Sequence, residues 1–216
     1  MERLTIDLSW KSSQIEGNTY SLLETEQLLV QKIEAENKSK EEAIMVLNHK
    51  EALQYIAYQP EQLANPLRIS TIEDIHNILV KNLNVEKNIR SRLVRITGTT
   101  YSPPDNAFQI TEYLQKMCDF VNSVDDVFVK AFISIALISY IQPFADGNKR
   151  TARIIGNTLL MGNNNCALSY RSIDPLEYKK AMLLFYEQNN LSLFKELFLN
   201  QYEFAVNNYF SASSRG

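Results

Sequence analysis

The stretch SYIQPFADGNKRTARIIGN, residues 139–157, decides how the rest of the chain is read. It joins two apolar runs through a turn holding Pro143, Gly147 and Asn148. It places one carboxylate, Asp146, and three basic residues, Lys149, Arg150 and Arg153, within eight positions. Pro143 ends the first helix and fixes the turn, and Phe144 is an apolar anchor for the loop. Gly147 and Asn148 permit tight backbone geometry whose N–H groups can form an anion-binding nest. The next helix is predicted to start at about Lys149, so its positive end faces the same space. Arg150 and Arg153 fall three apart, on one face of that helix. Asp146 is a hard oxygen ligand of the kind that holds Mg²⁺ on phosphates. Two guanidinium forks, a helix dipole and a carboxylate with metal together make a polyphosphate site. The plainer alternative is a solvated basic helix start with Asp146 as its N-terminal acid. A P-loop is excluded, because no G-x-x-x-x-G-K-[ST] occurs. The turn opens on Gln142, and an amide cannot take up a proton near neutral pH.

Outward from the turn, most of the chain reads as helix. The run 127–141, VFVKAFISIALISYI, is apolar almost all round, which places it as the most buried helix of a bundle. Capping-box spacing occurs at Ser21 and Glu24, at Ser39 and Glu42, and at Ser70 and Glu73. Asp174, Pro175 and Glu177 form a further start signal. Helices are predicted near 5–16, 22–36, 40–58, 71–83, 108–122, 126–141, 149–162, 175–189 and 193–210. The segment NIRSRLVRITGTTYSPP, 88–104, differs: Val94 and Ile96 alternate with polar residues, Gly98 breaks the run, and two prolines close it. That pattern predicts a short β-hairpin. The fold class expected is all-α with this small β-hairpin.

A chain of 216 residues with 45% hydrophobic and 22% charged residues is expected to form one globular domain with its own core. A net charge of −3 gives no general attraction to nucleic acid or acidic membranes. Cys118 and Cys166 lack metal-ligand spacing and read as buried thiols in a reducing compartment. With no apolar run of membrane-span length and no signal-peptide stretch, a cytoplasmic location is expected. SASSRG, 211–216, is expected to be a disordered tail.

QPFADGNKRTAR resembles the signature loop of Fic-family (Fido-fold) proteins, H-x-F-x-[D/E]-G-N-[G/K]-R-x-x-R, through Phe144, Asp146, Gly147, Asn148, Lys149, Arg150 and Arg153. The one departure is Gln142, which stands where the family has histidine. Residues 88–104 resemble the family's flap, with Arg90, Val94, Ile96, Gly98 and the double proline. SSQIEGN resembles the inhibitory motif [S/T]-x-x-x-E-[G/N] through Ser12, Glu16 and Gly17, in the N-terminal, class II arrangement. The resemblance implies an inhibitory segment at 1–20 and a Fic domain at 21–210. It implies transfer of AMP from ATP to a hydroxyl side chain of a target protein, with ATP and Mg²⁺ bound. Asp146 would hold Mg²⁺, the Gly147–Asn148–Lys149 backbone would cradle phosphate, and Arg150 and Arg153 would clamp the triphosphate. A target segment would dock on the flap at Val94, Ile96 and Gly98 by strand addition. A homodimer is compatible with this reading, and neither nucleic acid nor a membrane is an expected partner.

Gln142 sits at the position of the family's catalytic base. A positioned base contributes about 10²–10⁴-fold, or about 3–5 kcal/mol of barrier. His49 and His76 read as structural or surface residues. Several accounts remain open: a pseudo-enzyme that binds nucleotide, an enzyme of weak or changed activity, and an inactivating replacement at 142. Lys149 is shared with Doc-type relatives that phosphorylate. An interaction module without nucleotide is the alternative from another class. Glu16 could also be a plain last-turn acid, which is unfavourable at the negative end of a helix.

Overall fold

The computed structural model describes residues 2–210. In chain order the elements are α1 (Glu2–Ile15), α2 (Leu22–Glu26), the π-helical turn π1 (Gln27–Gln31), α3 (Lys40–Tyr58), α4 (Pro60–Ala64) and α5 (Ile69–Leu79). There follow α6 (Ala107–Ser123), α7 (Val127–Ile141), α8 (Asn148–Met161), α9 (Pro175–Gln188), α10 (Ser192–Ala205) and a second turn, π2 (Val206–Phe210). The all-α expectation holds. Two of the three capping boxes form: Ser21 and Ser39 each accept from the backbone of the glutamate three residues on, which returns the bond. Asp174 caps α9 through Leu176 N and Glu177 N, with Pro175 in the first turn. Ser70 does not cap. α5 begins at Ile69 with Arg68 as its N-cap, and Asn122 takes the N–H and carbonyl of Leu67 just before it.

α7 and α8 pack along each other more extensively than any other pair. Gly156 permits this approach: a Cβ there would lie 2.5 Å from Ile135 Cδ1. The more enclosed of the two is α8, not α7 as the apolar run suggested. Twelve of its fourteen residues are buried, including Asn148, Arg150, Arg153 and Asn157. A helix carrying so many polar groups can be enclosed only if they find partners. Asn157 shows how: it donates to Leu168 O at 2.9 Å and accepts from Leu168 N at 2.8 Å.

The expected β-hairpin is absent; among the described residues there is no strand. Residues 88–104 form an irregular loop held by side chains. Arg90, buried, donates to the carbonyls of Gln142, Arg92 and Pro104, each at 2.7 Å, while its own N–H bonds Pro143 O. At the far end Glu187 of α9 accepts from Thr99 Oγ1 and from Thr100 N. Gly98 adopts φ +87 between these anchors. A two-stranded ribbon without further strands is marginal, and here one buried arginine and one carboxylate replace the ladder. The tail 211–216 lies outside the described residues.

α1 is tied down at several points. Asp7, 1% exposed, accepts from Arg3, from Arg171 and from the Tyr209 hydroxyl. Such pairing is what a buried carboxylate requires. These contacts fix the helix that carries Ser12 and leads into Glu16.

Candidate active site

The loop 142–147 is built from its own backbone outward. Gln142 closes α7 in the left-handed region at φ 51, and its N–H bonds Ile138 O. Its side chain is tied at both ends: Nε2 donates to Ser139 O at 2.6 Å, and Oε1 accepts from Asn148 Nδ2 at 3.0 Å. Asn148 also accepts from Phe144 N and donates to Phe144 O, both at 2.8 Å. Asn148 is therefore a strut inside the turn, with only its backbone available to a ligand. Phe144 is fully buried and stacks on His76, with ring centroids 3.6 Å apart. His76 lies 3.0 Å through Nε2 from Asp146 O. Burial pushes the His76 imidazole down to about 4, so at neutral pH this nitrogen donates to the carbonyl and clamps the loop.

Gly147 is the N-cap of α8 at φ +81, with no side-chain cap on the helix. Asp146, one residue earlier, makes no capping hydrogen bond to the helix. Its carboxylate, 68% exposed, instead accepts from Arg150 Nη2 at 3.1 Å. The α8 N–H groups therefore face open space, an arrangement that attracts anions. Arg150 is 2% exposed, and its Nη1 is buried without a hydrogen-bond partner among the described residues. Burial depresses the Arg150 guanidinium, with Asp146 and Glu16 opposing that effect. A buried cation with an orphaned donor fits an anionic ligand.

Arg153 is fully buried, with Nε and Nη2 engaged and Nη1 without a hydrogen-bond partner among the described residues. Nε donates to Ser12 Oγ at 2.9 Å, and Nη2 donates to Ser12 O at 2.9 Å and to Glu16 Oε1 at 2.8 Å. Burial alone would lower its pKa; the Glu16 carboxylate together with Tyr178 and Tyr170 outweighs that and leaves it raised. Behind Ser12, His49 holds its Oγ through Nε2 at 2.8 Å and meets Met45 O through Nδ1 at 2.9 Å. The carbonyl takes the Nδ1 proton, so Nε2 accepts from Ser12 while Ser12 accepts from Arg153. α1 ends beside this group, and Gly17 at φ +94 turns the chain away.

Glu16, Gly17, Val94, Ile96, Gln142, Asp146, Gly147, Asn148 and Lys149, singled out in the sequence, all line one cavity of about 620 Å³. Ser12, Arg150 and Arg153 lie in the protein beside it, and Gly98 packs on Leu183 instead. Sequence reasoning missed the opposite wall, where Leu176, Tyr178 and Lys179 of α9 face the cavity. The Asp174 cap located that helix, but nothing local said which face would meet Arg153. Also missed were the clamp by His76 and the bridge by His49. Among the described residues no group of three or more His, Cys, Asp or Glu could cage a metal. One exposed carboxylate beside an anion site does fit Mg²⁺ arriving with phosphates, since that ion keeps few protein ligands.

Residues 66–160 match the model of the Fic/DOC family. A protein adenylyltransferase Fic from Nematostella vectensis is 30% identical over 156 residues, covering 70% of this chain and 36% of that relative. The chain thus spans about a third of that relative's length. Fic-1 (residues 134–508) from C. elegans superposes with a TM-score of 0.84 at 23% identity, covering 97% of this chain and 63% of that one. BepC from Bartonella tribocorum, solved with bound AMPPNP, gives a TM-score of 0.54 at 14% identity over 72% of this chain and 86% of its own. Residues 66–160, and with them the anion turn and both arginines, form a Fic/DOC family domain.

Proposed function

We propose that this chain binds Mg–ATP in the 620 Å³ cavity and is built to transfer AMP to a hydroxyl side chain of a target protein. Residues 1–20 act as its inhibitory segment. The observation that carries the reading is the uncapped N-terminus of α8 opening beside Arg150, whose Nη1 is buried and unpartnered. The backbone at Gly147–Lys149 receives phosphate oxygens, and Arg150 supplies a fixed positive fork. Asp146 would hold Mg²⁺, which when bound neutralises phosphate charge. In transfer the target oxygen forms a bond to the α-phosphorus while the α–β bridging bond breaks and pyrophosphate leaves. The hydroxyl proton needs an acceptor, and Gln142 is not one. Transfer is therefore slow, although the binding machinery is present. The target lies along residues 94–97, which form one wall of the cavity.

Glu16 holds the site shut. Its carboxylate takes the Nη2 of Arg153 that would otherwise meet the end of the triphosphate, and it adds negative charge beside an anionic ligand. A second reading, a nucleotide-sensing or protein-interaction module without transfer, is favoured by the Gln142 amide, bonded at both ends and 8% exposed.

Titration calorimetry tests the binding step. A hydrogen bond between charged groups is worth roughly 1.5–3 kcal/mol, so Glu16→Gly should bind Mg–ATP about ten- to a hundredfold more tightly than the parent. ADP and AMP should gain less. Arg153→Ala should erase the difference. If Glu16→Gly stays folded and binds no nucleotide, the interaction-module reading replaces this one.

A further inference from the structure

A second cavity, about 490 Å³, lies on the far side of α1, between α1, π1 and α3. Its size is that of a small-molecule site. Its floor is apolar: Ile6 of α1, Leu29 of π1 and Leu53 of α3 are each less than a tenth exposed. Val30, half-exposed, forms one lip. Two lysines close the opposite rim. Lys50 Nζ donates to Leu29 O at 2.9 Å, and Lys32 Nζ reaches the same carbonyl at 3.5 Å. Among the described residues neither ammonium is salt-bridged to a carboxylate. Glu2, exposed, is the acidic residue on the rim, and it acts on Lys50 only at longer range. Burial, followed by the charge of Lys32, holds the Lys50 ammonium below its usual range.

Two like charges at one carbonyl is a repulsive arrangement, with exposed Lys32 on the solvent side and half-buried Lys50 against the apolar floor. Local backbone geometry produces it. The chain leaves α2 as a π-helical turn and ends it with Lys32 in the left-handed region at φ 63. That turn brings the Lys32 side chain and the Leu29 carbonyl together with Lys50 of α3. Charge complementarity and the apolar floor define the occupant.

We propose that this cavity binds a small amphiphile with one anionic head on an unbranched apolar tail. The head, a carboxylate or a phosphate, sits between Lys32 and Lys50, and the tail lies against Ile6, Leu29 and Leu53. The site is separate from the 620 Å³ cavity, with which it shares no lining residue. Its occupant contacts the helix that also carries Ser12.

The test is direct titration of the chain, below the micelle concentration of each probe, followed by calorimetry and by backbone amide shifts. The probes are decanoate, decyl phosphate and decyltrimethylammonium, which share a tail and differ in the head. Decanoate or decyl phosphate should bind saturably at one site, with shifts confined to α1, π1 and α3. Their relative affinities assign the head to carboxylate or phosphate. The cation should not bind there. The double variant Lys32→Gln/Lys50→Gln should lose at least tenfold in affinity. Ala57 of α3 also lines the cavity, and Ala57→Trp, which keeps both lysines and fills the tail seat, should abolish binding. The proposal is overturned if neither anion saturates, if the cation binds as well, or if folded variants bind like the parent.

Discussion

At position 142 the backbone explains more than the side chain. Gln142 sits at φ 51, a region costly for most residues and populated several-fold more by Asn, Asp and His. The conformation therefore suits an imidazole at least as well as the amide now present. The amide offsets the strain with two hydrogen bonds, to Ser139 O and from Asn148 Nδ2. The second of these an imidazole nitrogen can also accept. Gln142→His should then fold normally and supply the missing proton acceptor. In a Glu16→Gly background the expected gain is about 10²–10⁴-fold in labelled AMP incorporated from ATP into protein targets of a lysate. A double variant that binds Mg–ATP yet labels nothing would place the defect beyond the base.

Among the elements, local signals were legible and long-range pairings were not. Ser21, Ser39 and Asp174 marked real helix starts, because a cap needs only residues three apart. The signature loop was legible for the same reason: Asp146 through Arg153 is one continuous stretch. Arg90 and Glu187 act across 52 and 87 residues of chain, Tyr178 meets Arg153 from the next long helix, and no spacing rule reports that. The alternation at Val94 and Ile96 suggested strand, but with no partner edge the chain stayed a loop. The burial of α8 was hidden by its polar composition, since the partners of Arg153 and Asn157 lie in α1 and in the segment before α9. Gly156 is the residue that fixes how α8 meets α7, and it gives a prediction at this scale. Gly156→Ala drives a methyl to within 2.5 Å of Ile135 Cδ1 and 2.6 Å of its Cγ1. Overpacking of this kind costs typically about 1–3 kcal/mol, more than the small helix-propensity gain of about 1 kcal/mol returns. Urea unfolding should show Gly156→Ala less stable than the parent. Combined with Ile135→Ala it should be less damaging than the sum of the two single changes. Strict additivity would mean that the two helices part without strain.

For the molecule as a whole, the two histidines set the acid limit of stability. The chain has no others, and both lie inside the fold against the candidate site: His49 behind Ser12, His76 beneath Phe144. Burial, then the Arg150 charge, pushes His49 from 6.5 down to about 3. Burial pushes His76 from 6.5 down to about 4. Each is neutral when folded and takes a proton readily when unfolded. Between the two pKa values the unfolded chain binds more protons, so stability rises with pH and is lost as pH falls below about 6.5. Carboxylates enter later: Glu42, held at about 2 chiefly by its bonds from Thr19, has an ordinary value of 4.5 and matters below that. The window from pH 6.5 to 5 therefore belongs to His49 and His76. Going from pH 7 to pH 5 should remove about 2 kcal/mol for each histidine, read as a lower urea midpoint at constant slope. His49→Gln, which can keep the bond to Ser12 without titrating, should be less stable at pH 7. It should lose only about half as much as the parent on acidification. A midpoint that stays flat from pH 7 to pH 5 would mean that both imidazoles take up protons inside the fold, with His49 Nε2 no longer accepting from Ser12 as described.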